Sequence, residues 1–302
     1  MKEYLEYIKT VRRYSARTVE IYSEVLRGFE EFLDGAPITP ESVRAYEIHL
    51  LDERKESPRT VSLHMSVLSG YCRFLVKTKR LESNPVRLVA RPKIEKRLPS
   101  FFRKEAVEEY FKNTEGTLEY GNYEQKLARI TIGILYCTGI RRSELISLNR
   151  ESVDFSRKVM HVRGKGDKMR EIPLTDTLCE EISLYLQSVS SLKEGVEAPQ
   201  APLVQTSRGS RLYPVLVDRI VKKELGGVES ITERKSPHVL RHTLATELLD
   251  EGSDLNSIKE LLGHSSLAAT QVYTHNSIER LKSVYNNAHP RAKNGGKNGN
   301  QD

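Results

Sequence analysis

The chain has few cysteines and no long apolar stretch. Its three cysteines, Cys72, Cys137 and Cys179, are an odd number, lie far apart and have apolar neighbours. They predict neither a disulfide framework nor a CxxC metal pair. We therefore expect the protein to function in a reducing cytoplasm. The longest apolar stretch, residues 130–137, has eight residues, whereas a helix needs about 20 to cross a bilayer. We therefore expect no membrane-spanning segment.

The N-terminus lacks the basic region followed by an apolar region that marks a secretory or transit peptide. The sequence begins MKEYLEY, with acidic residues early, so we expect no export. The chain has 302 residues, and at about 150 residues per domain this length predicts two domains, each with its own core. Hydrophobic residues make up 38% and charged residues 29%, which is typical of a globular protein.

Positive charge is unevenly distributed along the chain. The net charge is +7, from 48 basic and 41 acidic residues, which alone is a weak indication of an anionic partner. Residues 1–99 carry a net charge of +5, whereas residues 100–289 hold 26 side chains of each sign. Within that neutral part, residues 141–170 contain nine basic and four acidic side chains. This local concentration is suited to a phosphate site.

The first 90 residues contain an internal repeat of helical character. Residues 15–33 align without gaps to residues 57–75, with nine identities in 19 positions. Each copy begins with a serine that can cap a helix, followed by Arg and Thr and then by apolar residues at helical spacing. We predict two similar helical hairpins. A purely structural bundle would explain them, but an arginine early in both helices also suits phosphate binding.

Residues 84–99 have the composition of a linker between domains. Three prolines interleave there with arginines and lysines, and the apolar periodicity ends. We place the N-terminal domain at residues 1–86 and the linker at residues 87–99. Such a basic linker could lie along a nucleic-acid backbone, and a plain solvated linker explains the composition equally well.

The rest of the chain is predicted to be mostly helical with a small antiparallel sheet. Two strand-like segments, residues 158–163 and 168–173, flank the sequence GKGD, which is typical of a hairpin turn and holds Lys165 at its tip. A loop is predicted at residues 188–210, and the polar, Gly-rich tail, residues 291–302, is predicted to be disordered. The predicted helices cover about residues 103–113, 123–136, 175–187, 214–225, 238–251 and 254–262.

The motif TGIRRSEL, residues 138–145, places a charged side chain at the edge of an apolar core. It follows the apolar segment ITIGILYC, and Gly139 ends that helix shortly before Arg141. Because a guanidinium stays charged, Arg141 needs an anionic partner there. The sequence leaves two possible partners for Arg141, a phosphate and Glu144 on the next helix.

The motif HVLRH, residues 238–242, predicts a histidine and an arginine on one helix face. His238 and Arg241 are three residues apart, whereas the leucines at positions 240, 244 and 248 form a separate apolar ridge. His238 and His242 are four residues apart, which raises a zinc site as an alternative. We expect no metal, because no general-base glutamate lies between them and no third ligand is evident.

Residues 260–275, ELLGHSSLAATQVYTH, predict a turn that brings a histidine and a tyrosine to one site. Gly263 suits a helix C-cap and His264 follows it. A serine can then cap a short new helix that ends near Tyr273. Taken alone, Tyr273 is most simply a packing residue, and only its combination with the other motifs indicates chemistry.

That combination resembles a known family. The motifs TGIRRSEL, VRGKGDKMREIPL, HVLRH, LGHSSL and TQVYTH follow one another in the order of the tyrosine recombinase (phage integrase) family, most closely its Xer branch, over residues 1 to about 292. The resemblance implies a mainly α fold with two domains. The first is an N-terminal helical, SAM-like core-binding domain, and the second, residues 100–290, is a mostly α catalytic domain with a small antiparallel sheet. The same catalytic fold occurs in type IB topoisomerases.

The resemblance implies a division of catalytic roles. Tyr273 is the nucleophile that attacks a phosphodiester, forming a 3′-phosphotyrosyl bond and releasing a 5′-hydroxyl. His238 accepts the phenol proton, because a phenol with a pKa of about 10 is protonated at pH 7. Arg141 and Arg241 bind the non-bridging oxygens as they gain negative charge in the transition state.

Two further residues complete the implied site. Lys165 is the general acid that protonates the departing 5′-oxygen, and His264 hydrogen-bonds the scissile phosphate. No metal, nucleotide or other cofactor is expected, because the phosphotyrosine retains the energy of the broken bond for religation.

The resemblance also implies the partners. The two domains hold double-stranded DNA from opposite faces, and four protomers assemble on two recombination sites. In Xer systems a paralogous recombinase and a septal DNA translocase are usual, and the C-terminal segment docks on a neighbouring protomer. We therefore expect a cytoplasmic, nucleoid-associated protein. Candidate DNA contacts in the repeats and the linker are Arg17, Thr18, Arg59, Thr60, Arg91 and Lys93.

Several functions compete. We favour Xer-type resolution of chromosome or plasmid dimers through a Holliday junction. A phage or mobile-element integrase has the same chemistry, but many carry an N-terminal arm-site domain, whereas here the core-binding-like helices begin by about Ser15. A type IB topoisomerase does not explain the Xer-like C-terminus. A DNA-binding regulator without catalysis would not need Tyr273 with its five partners.

Overall fold

The computed structural model describes residues 1–93, 101–164, 167–190, 198–228 and 235–263, together with Arg291. The chain divides into two units, Met1–Arg97 and Leu98–Asp302. In the described parts of both, no helix combines the length and the apolar character needed to cross a membrane.

The described part of the first unit, residues 1–93, forms helices and contains no strand. Helix α3 carries a capping box, in which Thr39 and Ser42 each accept a backbone N–H from the other, and this fixes where the helix starts. The elements are α1 (Lys2–Thr10), α2 (Ala16–Leu33), α3 (Pro40–Ile48) with a π-helical turn (His49–Glu53), α4 (Pro58–Lys77) and a 3₁₀ turn (Pro85–Leu88).

The predicted repeat is present as helices α2 and α4. The Ser15 hydroxyl accepts the backbone N–H three residues later at 3.2 Å, and Ser57 does the same at 3.1 Å. The basic residue two positions before each serine, Arg13 or Lys55, has a φ of 52°. The two entry turns therefore share a backbone conformation as well as a cap.

Equivalent positions of the repeat fill the core of this unit. Leu26 and Leu68 are fully buried, and so is Phe29, while its counterpart Tyr71 is 8% exposed. Burial of each such side chain contributes about 1.5–3 kcal/mol. The shared sequence pattern is thus first a packing pattern, and any DNA contacts must come from its exposed residues.

The segment with linker composition, which starts at residue 84, begins as packed structure. Val86 and Val89 are buried in the core of the first unit, and the Asn84 amide donates to the carbonyl and hydroxyl oxygens of Ser69 at 3.0 and 3.1 Å. Two valines three residues apart are too few to produce a detectable period, so the sequence pattern does not reveal this packing.

The described part of the second unit is mostly helical and has a three-stranded antiparallel sheet, in which the strands neighbour one another in sequence order. Its helices and strands are α5 (Lys104–Asn113), α6 (Thr117–Tyr120), α7 (Tyr123–Thr138), α8 (Arg142–Ser147), β1 (Val153–Asp154), β2 (Val159–Arg163), β3 (Met169–Pro173), α9 (Asp176–Ser190), α10 (Pro214–Glu224), α11 (Pro237–Asp250) and α12 (Leu255–Leu262). The predicted fold class is confirmed.

The predicted hairpin is formed by β2 and β3. Its register pairs Met160 with Ile172 and Val162 with Arg170, and all four of these side chains are buried. Because alternate residues of a strand face the same side, this register directs Arg170 inward. The short strand β1 was not predicted, since two residues give no alternation.

Helix α7 is the central element of the second unit. The side chains of Ile130, Ile132 and Ile134 are fully buried, as expected for a helix that is apolar on every side. The helix ends at Gly139, which has a φ of 59° and donates its N–H to the Leu135 carbonyl. This turn directs the chain out of the core just before Arg141.

The Gly139 turn gives a test of the fold. A Cβ there would lie 2.6 Å from Leu262 and 3.0 Å from Leu244, on a backbone with positive φ. Gly139→Ala should therefore lower the free energy of unfolding by at least about 2 kcal/mol, from left-handed strain and overpacking. Gly226→Ala is the matched control, because among the described residues no atom beyond its chain neighbours lies within 4 Å of the position that its added methyl group would take. Equal stability of the two variants in urea denaturation would contradict this packing.

Candidate active site

Arg141 lies at the start of helix α8 and is held by Glu144. The Glu144 carboxylate accepts the Arg141 backbone N–H at 2.8 Å and the Arg141 Nη1 at 2.8 Å. The Arg141 Nη2 donates to the Gly263 carbonyl at 2.9 Å, and 30% of the side chain is exposed. The pairing of Arg141 with Glu144, left open by the sequence, is therefore present, and the guanidinium remains accessible to solvent.

Glu144 has a second partner that the sequence analysis did not identify. Arg170 on β3 donates to both oxygens of Glu144, at 3.0 and 2.8 Å, and both side chains are only 5% exposed. Arg170 Nε also donates to the Leu261 carbonyl at 3.1 Å. The sequence signal that could have identified it is the alternation in MREIP, which places Arg170 on the same strand face as the apolar Ile172.

The arginines keep Glu144 ionised. Burial alone would raise the pKa of Glu144, but the hydrogen bonds and charge of Arg170, followed by those of Arg141, outweigh burial and lower this pKa to about 2. A carboxylate that accepts hydrogen bonds from two guanidiniums is stabilised in its charged form. Glu144 is thus a fixed negative charge at any physiological pH.

Arg241 on helix α11 approaches the same place from inside the core. Its Nη1 donates to the Gly139 carbonyl and its Nη2 to the Leu262 carbonyl, each at 2.5 Å. Burial lowers the pKa of Arg241 to about 10, and the positive charge of Arg141 acts in the same direction. Since this value is far above neutrality, Arg241 stays charged at physiological pH.

The three arginines meet at the C-terminus of helix α12. Arg170, Arg241 and Arg141 donate to three successive carbonyls, those of Leu261, Leu262 and Gly263. The last carbonyls of a helix have no partners within it and carry the negative end of the helix dipole. This helix end therefore gathers three guanidiniums, and the residue that follows Gly263 is His264.

His238 lies one helical turn before Arg241, but the two side chains differ in exposure. His238 is exposed, whereas Arg241 is buried, because the Arg241 guanidinium turns inward to the carbonyls. The predicted shared face is thus only partly formed. Partial desolvation lowers the pKa of His238, and the positive charges of Arg142, His242 and Arg241 lower it further.

Arg142 and Asp218 lie beside His238. The Arg142 Nη1 donates to the Asp218 carboxylate on helix α10, and the charge of Asp218 partly offsets the fall in the His238 pKa. The net effect is still a pKa below the ordinary value, which favours the neutral form of His238, the form that can accept a proton.

Three of the predicted site residues, Lys165, His264 and Tyr273, lie outside the described residues. A described glycine precedes each of the first two, Lys165 and His264. Gly164, at the end of β2, donates its N–H to the Lys168 carbonyl at 2.7 Å, and Gly263 caps helix α12 with a φ of 65°. In the described part of the chain, no group of three His, Cys, Asp or Glu is placed to hold a metal ion.

The candidate DNA contacts of the first unit are at its surface. Arg17 and Arg59 are exposed, and Arg17 forms an ion pair with Glu20 at 2.6 Å. The hydroxyls of Thr18 and Thr60 bond to the capping serines at 2.8 and 2.9 Å. In the connecting segment Lys93 is exposed, and Arg91 is exposed and donates to Ser66 at 3.0 Å.

The charges around His238 give a direct test. We expect an NMR titration of His238, assigned with His238→Gln, to give a pKa below 6.5, the ordinary value. Asp218→Asn removes a negative charge that raises this pKa, so it should lower the value further. Asp250→Asn, at the far end of helix α11, is the control and should leave it unchanged. A higher pKa in Asp218→Asn would contradict the arrangement.

Comparison with known proteins identifies the family. The model described as "Phage integrase family" matches residues 100–280, and the model described as "Phage integrase, N-terminal SAM-like domain" matches residues 1–79. The chain is 37% identical to Tyrosine recombinase XerC of Bacillus subtilis (strain 168), over 97% of this chain and 96% of that protein. It is 34% identical to Tyrosine recombinase XerC of Chlorobaculum parvum, over 97% and 94%.

A solved structure has the same fold. The Tn1549 transposon integrase in complex with transposon right end DNA is similar with a TM-score of 0.69 at 18% identity, over 92% of this chain and 96% of that one. A sequence identity this low supports a shared fold and nothing more. The XerC relatives, in contrast, match nearly the full length of the chain in sequence, and the two family models match residues 1–79 and 100–280. The chain therefore belongs to the phage integrase family of tyrosine recombinases, within its Xer branch.

Proposed function

We propose that this recombinase cleaves and rejoins DNA with Tyr273 as the nucleophile and with Arg141 and Arg241 as the clamp on the scissile phosphate. The observation that carries the proposal is the meeting of these two guanidiniums on adjacent carbonyls, those of Gly263 and Leu262. Three arginines and Glu144 share this small volume and leave an excess of positive charge, which suits a phosphate.

The two arginines have complementary roles in this proposal. Arg141 is partly exposed and meets the phosphate from the solvent side, while Arg241 is buried and meets it from the core side. When a tyrosine attacks phosphorus, the non-bridging oxygens gain negative charge in the transition state. Donors already held in position stabilise that charge without reorganisation, and loss of one such donor typically slows a reaction by about 10²–10³-fold.

We propose His238 and Lys165 for the two proton transfers of the reaction. A phenol must lose its proton as it attacks, and His238 suits the role of acceptor because its lowered pKa favours the neutral form. We assign Lys165 as the acid that protonates the departing 5′-oxygen, and His264 as a donor to the scissile phosphate. Their support is the family motif in which each lies and the positions of Gly164 and Gly263 next to them.

Binding of double-stranded DNA is proposed for both units. The first 99 residues carry the net charge of +5, and neutralising phosphates with basic side chains supplies most of nonspecific affinity. We propose residues 1–86 as the core-binding domain, residues 87–99 as the linker, residues 100–290 as the catalytic domain and residues 291–302 as a tail. Exposed Arg17, Arg59 and Lys93 are the proposed backbone contacts, and Arg17 must leave Glu20 to serve as one.

We further propose that four protomers act on two sites to resolve chromosome or plasmid dimers through a Holliday junction at the nucleoid. The relatives named XerC at 34–38% identity over nearly the whole chain support this role over that of a mobile-element integrase. A paralogous recombinase and a septal DNA translocase are the proposed additional partners.

Covalent trapping tests the nucleophile. A nicked duplex carrying a candidate recombination site should give a 3′-linked protein–DNA complex that survives denaturation, because the nick lets the 5′-end diffuse away before religation. Tyr273→Phe should bind the duplex and form no adduct, since it lacks the attacking oxygen. Tyr120→Phe alters a tyrosine that is 87% exposed and should react as the wild type does. An adduct with Tyr273→Phe, or DNA binding by the wild type without any adduct, would refute the assignment.

A modified leaving group tests Lys165. Lys165→Ala should slow cleavage of an ordinary phosphodiester by about 10²–10⁴-fold, the usual contribution of general acid catalysis. With sulfur in the 5′-bridging position the leaving group needs no proton, so the defect should largely disappear in single-turnover cleavage. Lys168→Ala, in the same hairpin, is the control and should cleave both substrates normally. Equal defects of Lys165→Ala on both substrates would remove Lys165 from this role.

A further inference from the structure

We infer that Arg170 is a positioning residue for the phosphate clamp. It acts through Glu144 on Arg141 and through helix α12 on the turn that precedes His264. The inference rests on the proposed function, because it concerns the site at which Arg141 and Arg241 would bind the phosphate.

The Glu144 carboxylate is saturated with hydrogen bonds. Arg170 supplies one to each oxygen, and Arg141 supplies the other two, one from its backbone N–H and one from its guanidinium. Two carboxylate oxygens have about four lone-pair sites, so each arginine satisfies half of the carboxylate. The conformation of Arg141 is therefore fixed jointly with the position of Arg170.

Arg170 also determines how much of the Arg141 charge is available to a ligand. Glu144 and Arg170 are both 5% exposed and form a bidentate pair, whereas Arg141 is 30% exposed. Because Arg170 already neutralises the carboxylate, the positive charge of Arg141 is left for the phosphate. Without the Arg170 fork, the uncompensated charge of Glu144 would hold the Arg141 guanidinium more strongly and compete with the phosphate for it.

A second contact connects Arg170 to the other end of the site. Its Nε donates to the Leu261 carbonyl at 3.1 Å, and its side chain packs against the α-carbon of Gly263, where a Cβ would lie only 3.2 Å from it. The carbonyls of the next two residues receive Arg241 and Arg141. Arg170 thus aligns the helix end on which both clamp arginines rest.

Substitution by lysine separates charge from geometry. Arg170→Lys keeps the positive charge but cannot donate to both Glu144 oxygens and to the Leu261 carbonyl at once. We expect single-turnover adduct formation on the nicked duplex to slow by about 10–100-fold, the scale of a small misplacement of a catalytic group. The dissociation constant for DNA should change by less than about twofold, because most backbone contacts are untouched.

An uncharged phosphate distinguishes positioning from a general structural defect. A methylphosphonate at the scissile position lacks the charged oxygen that Arg141 would neutralise. If Arg170 acts through Arg141, the ratio of wild-type to Arg170→Lys rates should fall toward one on this substrate. If Arg170→Lys only reduces the folded fraction, the ratio is the same on both substrates, and that result would overturn the inference.

The matched control is another buried, bidentate pair in the same unit. Arg129 donates to both oxygens of Glu181, at 3.2 and 2.6 Å, with both side chains at most 11% exposed. Arg129→Lys should lower the Tm in the same way and leave adduct formation near the wild-type rate. Wild-type rates for Arg170→Lys, or an equal slowing in Arg129→Lys, would refute a positioning role. Absence of an adduct from the wild type itself would refute the proposed function and this inference with it.

Discussion

The Glu144 carboxylate is the constraint on which the rest of the site depends. It is buried, ionised and surrounded by hydrogen bonds from Arg170 and Arg141. A charge in such a place is costly unless it is fully paired, so the strand that carries Arg170 and the turn that carries Arg141 must both be in register. The hairpin register and the end of helix α7 are therefore linked through one carboxylate.

The end of helix α12 is the second half of this arrangement. Its last carbonyls hold three guanidiniums next to one another. Without these carbonyls the three positive charges would repel one another. The negative end of a helix dipole and a nearby carboxylate offset that repulsion before any phosphate arrives.

The positive charge of the chain is distributed in two ways. A diffuse excess lies over the first 99 residues, and a few fixed cations lie in the second unit, which as a whole is close to neutral.

The elements with a strong local signal could be predicted from the sequence. The serine caps of α2 and α4, the apolar helix α7 with its terminal glycine, and the hairpin of β2 and β3 all follow short-range rules, and the ordered motifs identified the family. Packing of residues 84–89 and the pairing of Arg170 with Glu144 could not be predicted with the same rules. Both depend on contacts between residues distant in sequence, and an arginine in a strand carries no sign of which carboxylate it meets.

A structure of Tyr273→Phe bound to a duplex with an intact recombination site tests the central claim most directly. We predict that the guanidiniums of Arg141 and Arg241 both lie within hydrogen-bonding distance of one scissile phosphate while Glu144 keeps its two bonds from Arg170. A phosphate bound elsewhere, or an Arg141 that remains on Glu144 and Gly263 without contacting the DNA, would contradict the account.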